Sequence, residues 1–531
     1  MIRSSRDAPS QCGDARAVPA SASLLCRLTR SLNAMQSGQI LPIMGTLGLV
    51  VLVGFIGLAF DVGVARNTRR QMQNAADAAA IAAAEALAKG GDYSAAAQAA
   101  AAQNGFTDGH STPMSSYAAS IVTAAPSGGS YAANAQALQV TISQLQQTYF
   151  LRALGVNSLA IKATAVGLAK SGTACIYALD TTGSSALFMN GNITINSACG
   201  ILVDSTSTSG LKVNGNISIT DTFTGVVGNY SANGNISFTP TPNAGIAAFA
   251  DPLSGLTPPT VPTCTQAANN KPAGLSVTAA QTIDPGVYPS GVSVSGNFGT
   301  VTFNGGSWGN SISTSGNGSI VLNPGQYQNG GGSGNSLSIT GNTTVTMNSG
   351  QYTFCGPVNL SGNTSTATLS PGFYYGGISI NGNQALKFNP GVYILGGGGL
   401  SINGNTSSMT GTGVTFYNTT GLGGYKQIKL NGNTQVNLSA PTTGSLQGIL
   451  FYQDPSVTGG AGSTINGNSS STFDGALYFP TTTLTYNGNS SLSGYTIVVA
   501  YDIVWNGNST IGNNYSSLAS GSPIKSGLLV Q

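Results

Sequence analysis

The chain has 531 residues, of which 6% are charged and 74 are glycine, against about 25% charged and about 7% glycine in an ordinary soluble domain. This excludes an average globular enzyme, and a hydrophobic content of 40% excludes a chain held open by charge repulsion. The net charge of +3 divides unevenly: residues 1–171 hold 12 Lys+Arg and 7 Asp+Glu, whereas residues 172–531 hold 6 Lys, 8 Asp and no Arg, Glu or His. Without Arg the distal region cannot form a cationic track along a phosphate backbone, so nucleic acid is excluded as a partner.

Residues 1–38 form a basic arm carrying Arg3, Arg6, Arg16, Arg27 and Arg30. From Ile40 to Phe60 there is no charge across 21 residues, which as a helix is about 31 Å long and matches a bilayer core of about 30 Å. A cleaved signal peptide has a shorter apolar region of about 7–15 residues, so a retained single membrane span is predicted. Pro42 falls in the first helical turn, where a missing N–H costs little. Arg27 and Arg30 before the span are balanced by Arg66, Arg69 and Arg70 after it; the whole arm tips orientation toward a cytoplasmic N-terminus. Cys175, Cys199, Cys264 and Cys355 are an even set suited to an oxidising exterior, leaving Cys12 and Cys26 inside as free thiols. Residues 61–89 are Ala-rich and stop at Gly90-Gly91, so span and stretch are expected as one helix, with Ala75, Ala76, Ala79, Ala82 and Ala83 as a small-residue packing stripe.

The residues from Gly38 through Pro42, the apolar run, Asp61 with Gly63, and the string Gln73-Asn74-Ala75-Ala76-Asp77-Ala78-Ala79 resemble the N-terminal module of bacterial Flp/Tad pilus-assembly proteins of the TadE/TadG-like kind. Residues 137–169 resemble the strand, helix and strand that follow in the TadG-like group. The resemblance implies a single-pass protein with its bulk outside the cytoplasm, anchored in the inner membrane with its C-terminal region in the periplasm or at the cell surface, and partnered by pilus-assembly or surface proteins. Prepilins are cut after a Gly and carry Glu five residues on; here the fifth residue after Gly38 is Ile43, which speaks against processing as a true pilin.

After Ala169 a motif recurs. Asn-Gly-Asn stands at 190, 214, 233, 381, 403, 431, 466, 487 and 506, with Ser-Gly-Asn or Thr-Gly-Asn at 295, 315, 340 and 361. Many separations fall between 19 and 25 residues, the signature of a solenoid. LKVNGNISIT alternates apolar and polar residues on both sides of the motif, and Asn-Gly accepts φ > 0 readily. A second turn signal, Asp284-Pro-Gly-Val-Tyr and its relatives beginning at Asn323, Ser370 and Asn389, separates further short strands. The predicted fold is therefore an N-terminal transmembrane and Ala-rich α-helix with a small α+β segment, then mainly β as a right-handed parallel β-helix. The expected divisions are a cytoplasmic arm 1–38, a helical Tad-like module 39–90, a connecting α+β domain 91–171, the repeat 172–518 and a tail 519–531. Residues 411–518, more aromatic than the rest, are expected as final coils or a cap.

The repeat corners are taken as Asn190-Gly191-Asn192, Asn214-Gly215-Asn216 and Asn403-Gly404-Asn405. Cys175 and Cys199 are 24 residues apart, close to one coil, and are predicted to form a disulfide, leaving Cys264 and Cys355 as a second pair. Catalysis would need clustered carboxylates, yet Asp180, Asp204, Asp221, Asp251, Asp284, Asp454, Asp474 and Asp502 are singly spaced. Asp204 and Asp221 could meet on adjacent coils. Gly305-Gly306-Ser307-Trp308-Gly309 matches G-x-S-x-G formally, but the only histidine, His110, lies upstream. The reading is a non-catalytic, membrane-anchored surface protein for pilus assembly or adhesion, with no cofactor and no metal. The alternative is a polysaccharide-binding or polysaccharide-degrading β-helix with carbohydrate as partner, using Trp308, Tyr374 and Tyr375 on its surface.

Overall fold

The computed structural model describes residues 40–88, 91–129, 131–132, 134, 136–171, 174–264, 270–329, 334–363, 366–403, 408–431, 435–490 and 494–529. The basic arm with Cys12, Cys26 and Gly38, and the corner residues Gly404 and Asn405, lie outside them. Two compact units emerge, Met1–Ala169 with Gly527–Gln531, and Lys170–Ser526.

In the first unit a single helix, α1, runs from Ile40 to Ala88, about 74 Å at 1.5 Å per residue. Its apolar half is bare: Met44, Leu47, Val50, Phe55 and Ile56 are all more than half exposed. Its Ala-rich half buries Met72, Ala75, Ala76, Ala79, Ala80, Ala83 and Ala84. The stripe follows strict helical spacing, so Ala80 and Ala84 join it and Ala82, expected there, is only half-buried. The second helix, α2 (Tyr93–Gln103), begins at Asp92, whose carboxylate accepts from the Ser94 and Ala95 amides, and buries Ala97 and Ala101. These alanines share one core with Val140, Ile142, Ile161 and Ala163 of the sheet. That sheet orders Ser120–Ala124, Ala137–Gln147, Ser158–Ser171 and Lys525–Leu529. Within the expected tail 519–531, Lys525–Leu529 thus supplies an edge strand. Gly167 is required where the sheet crosses α1, because a Cβ there would collide with the Ala80 carbonyl.

The second unit is a parallel β-solenoid of about 13 turns. Each regular turn has three short walls: one strand entering the Asn-Gly-Asn segment, one leaving it, and one carrying the Pro-Gly-x-Tyr segment. In Leu211–Thr220, Leu211, Val213, Ile217 and Ile219 point inward and are buried, as the alternation requires. Like residues stack on like, with Asn190↔Asn214, Gly191↔Gly215 and Ile193↔Ile217 in register, and Asn214↔Asn233 continuing the column.

The order of turns along the stack is not the order along the chain. The first turn, Ala174–Ala178 and Leu187–Ser197, pairs on one side with Gly200–Val203 and Leu211–Thr220. On its other side it pairs with the last turn: Val498↔Ile176, Ile503↔Leu187 and Ser509↔Ile195. The chain therefore starts inside the stack, lays three turns outward to Tyr230–Thr239, and crosses to the opposite end. From Leu275–Val277 it then builds back toward its own first turn. The region 411–518 is accordingly not a cap; its final turn is an interior one. The crossing is a strap along the outside of the rungs. The Phe249 amide donates to Asp204 at 3.2 Å, the Tyr478 hydroxyl donates to Asp251 at 2.6 Å, and the Tyr452 hydroxyl donates to the Leu256 carbonyl at 3.1 Å. Cys264 then joins Cys355. Of the period-breaking segment 263–274, Thr263 and Cys264 lie at the end of this strap and residues 270–274 lead into the return.

Candidate functional site

Within the first unit a compact polar arrangement surrounds Asp61, the first charged residue after the apolar run. Its carboxylate is buried and accepts three backbone amides from one turn: Tyr149 at 2.9 Å, Phe150 at 2.9 Å and Leu151 at 2.7 Å. These amides open the 3-10 helix Leu151–Leu154, whose first N–H groups have no partner within the turn, and an anionic acceptor is the strongest complement for them. The Phe60 ring meets Tyr149 and Phe150 edge-on, at centroid distances of 5.7 and 5.9 Å. Gly57 admits the Phe150 ring, since a Cβ there would fall 2.5 Å from Phe150 Cγ. One turn beyond Asp61, Gly63, Arg66, Asn67, Arg69, Arg70 and Gln73 line an open groove on α1.

Residues 38–86 match the family model of TadE/G-like Flp pilus-assembly proteins, and residues 65–166 match that of Tad-like Flp pilus-assembly. The N-terminal unit is Tad-like. The two matches overlap on the Ala-rich half of α1 and together cover the Asp61 clasp and the sheet strands as far as residue 166, which associates the chain with Flp/Tad pilus assembly. No curated protein and no solved structure shows significant similarity to the chain.

Beyond the Tad-like unit, most of the solenoid carboxylates hold local turns, and two meet. Asp180 accepts from the Thr182 and Gly183 amides. Asp204 and Asp221 are not brought together: Asp204 holds Phe249 of the strap, and Asp221 accepts from Thr224 at 2.5 Å. Burial pushes both carboxyls above the ordinary range. Asp251 is also raised by burial, offset in part by the Tyr478 hydroxyl. Asp284 accepts from Asn304 and Asp454 from Thr419. Asp502 and Asp180 lie against each other. Among the described residues no group of three or more His, Cys, Asp or Glu could hold a metal ion. Ser307 lies on an extended strand, Gly306–Trp308, not at a strand-to-helix turn. His110 is exposed, its Nδ1 2.8 Å from the Asp108 carbonyl.

Carbohydrate contact through Trp308 and Tyr374 is contradicted, because both are buried; Tyr375 is half-buried. The physical reason is a signal that the turn motif conceals. The aromatic residue that closes each Pro-Gly-x-Tyr segment, and its counterparts Trp308 and Tyr352 in turns without the proline, points inward into an aromatic stack along the axis, as in Trp308 on Tyr327 at 6.3 Å, Phe354 on Tyr374 at 5.1 Å and Tyr374 on Tyr393 at 6.0 Å. Its polar tip is satisfied by the carbonyl four residues back: Tyr327 to Asn323, Tyr352 to Asn348, Tyr374 to Ser370, Tyr393 to Asn389, and Trp308 Nε1 to Asn304. A buried tyrosine needs such a partner, so the four-residue spacing is a packing code.

The Asn-Gly-Asn segments occupy bends that remain within the ladder. Gly191 and Gly215 have φ of 115° and 114°, and a Cβ on Gly215 would collide with the Gly191 carbonyl. The asparagines form side-chain ladders along the axis. Asn235 donates to Asn216 at 2.9 Å, while Asn403 donates to Asn381 at 3.1 Å and accepts from Asn431 at 2.9 Å. Asn190, Asn192 and Asn214 stand in register with their counterparts. Cys175 and Cys199 lie on neighbouring turns with Cα atoms 5.6 Å apart and are disulfide-bonded; Cys264 and Cys355 are bonded with Cα atoms 5.5 Å apart.

Proposed function

We propose that the chain is a membrane-anchored, exported structural protein of a Flp/Tad-type pilus system, whose solenoid is a non-catalytic rod in the periplasm or at the cell surface that serves assembly or adhesion. The observation that carries this reading is the continuity of the Tad-like unit with a bare apolar helix segment of span length. The solenoid supports it: its carboxylates hold turns and strap, and its large aromatics fill its own core. A bare apolar helix in water would expose a surface far beyond what soluble proteins tolerate, whereas a bilayer satisfies it.

Compartment is tested on the full chain with Thr443→Cys, an exposed solenoid position. A membrane-impermeant maleimide should label this variant in intact spheroplasts above the wild-type background. Labelling only after lysis would place the solenoid in the cytoplasm and end the export reading. Loss of pili on deletion of the chain would assign it to assembly, and intact pili with lost surface attachment would assign it to adhesion.

A further inference from the structure

The strand Ala137–Gln147 runs alongside α1 in a fixed sense. Gly167, the partner of Leu138, lies against Ala80 and Ala84. Thr164, the partner of Thr141, accepts from Gln73 at 3.0 Å. Gln146 accepts from Thr68 at 3.1 Å. The strand thus descends the helix toward the apolar run, and the turn after it, Thr148–Val156, arrives at Phe60 and Gly57. Gly57 lies three residues inside the run, about 4–5 Å from its end, and that is the level of the Phe150 ring.

This turn is unusually apolar for a surface element. Leu154 is 79% exposed, and Tyr149, Phe150 and Val156 are exposed beside it, as is Phe60. Arg152 is exposed in the same turn, and Arg66 stands on α1 about 9 Å beyond the end of the run. Aromatic rings, aliphatic side chains and guanidinium groups at the level where a span ends match the sequence of environments at a membrane interface: acyl boundary, carbonyl region, phosphate. Asp61 is the positioning residue, since its three amide contacts fix the turn at that height.

The geometry points to a second membrane contact: the Thr148–Val156 turn is a foot that inserts Tyr149, Phe150, Leu154 and Val156 into the headgroup–acyl boundary of the leaflet from which α1 emerges, with Arg152 and Arg66 facing anionic phosphates. The occupant is the lipid surface itself, because the patch is continuous with the bare face of the span. A foot beside the span restrains rotation and tilt of α1, which a lone helix leaves free. This inference rests on reading α1 as a span.

The test uses the full chain in bilayers carrying Leu154→Trp, and Val156→Trp as a second variant. Trp308 and Trp505, the only native tryptophans, are each 1% exposed in the solenoid and give a constant background. The control is Val122→Trp, on an exposed position that pairs with Thr141 at the level of Gln73, about 20 Å beyond the end of the run. Emission from position 154 or 156 should shift to the blue and be lost to lipids brominated near the headgroup, while position 122 is quenched by aqueous acrylamide. Acrylamide quenching of both foot variants would overturn the foot, and so would shielding from both quenchers, which would mark a protein surface as the occupant. Release of the wild-type chain by alkaline carbonate would instead overturn the span, so the two failures are distinguishable.

Discussion

The two units solve the problem of a charge-poor chain in opposite ways. The Tad-like unit is built from contacts that occur once: one alanine stripe, one glycine at the helix crossing, one buried carboxylate holding one turn. The solenoid is built from contacts that repeat, so that its glycine columns, asparagine ladders and aromatic stack each distribute one device over many turns. In the first unit a single side chain decides a local structure. In the second, a single side chain matters to the extent that its neighbours above and below cannot move aside.

The sharpest way to break this comparison is a glycine of the column. Gly215 combines φ of 114° with a Cβ position that collides with the Gly191 carbonyl. Gly215→Val should cost about 4 kcal/mol, from backbone strain and overpacking together, and appear as a large fall in the solenoid melting temperature. Gly423 has φ of 80° but open space around it, so Gly423→Asn should cost less than about 1 kcal/mol. Equal melts for the two variants would show that the column does not constrain the ladder.

Asp61→Ala is the matching test in the Tad-like unit. It leaves three amides without their acceptor, which should cost about 3 kcal/mol. The amides of Tyr149, Phe150 and Leu151 should then exchange about 100-fold faster with deuterium, while protection across the solenoid is unchanged. A slowdown confined to the solenoid, or no change at the turn, would contradict the clasp.

Most of the repeat was legible because in-register stacking demands like residues at like positions; LKVNGNISIT alone announces inward apolar residues and a bend. The span was legible for the same reason that the Tad resemblance was, since both are written in contiguous residues. What escaped was anything decided between distant segments. Nothing in Thr496–Ala500 marks it as the neighbour of Ala174–Ala178, because any turn of this solenoid presents nearly the same edge as any other. The strap showed only as a break in period. The partners of Asp61 lie nearly 90 residues downstream in amides that carry no side-chain signature. Pro-Gly-x-Tyr at Tyr374, and Gly-Gly-Ser-Trp at Trp308, read as turn chemistry with an exposed ring, and the inward direction of the last residue emerges only when turns are stacked.

The smallest expected effect probes the seam where first and last turns meet. Burial, and then the charge and hydrogen bond of Asp180, push the Asp502 carboxyl up to about 6 from 3.8. Asp180 reaches this place from the first turn of the chain, about 320 residues earlier in sequence, its amide bound to the Tyr501 carbonyl at 2.9 Å. The raised value means that between these limits the native state keeps a proton that the unfolded chain has released, so stability falls as pH rises. The contribution of the protonated seam is complete below about pH 3.8 and lost as pH rises through about 6. For a half-buried group, screening reduces it to about 1–2 kcal/mol. Asp204, Asp221 and Asp251 are raised by burial too, so the wild-type slope alone does not isolate the seam. The informative quantity is the difference between wild type and Asp502→Asn: melting temperatures measured from pH 4 to 8 should converge at the acid end and separate above pH 6, with the asparagine variant the more stable. A constant difference across that range would show that Asp502 does not keep its proton in the folded seam, and that the seam is held by its β pairing alone.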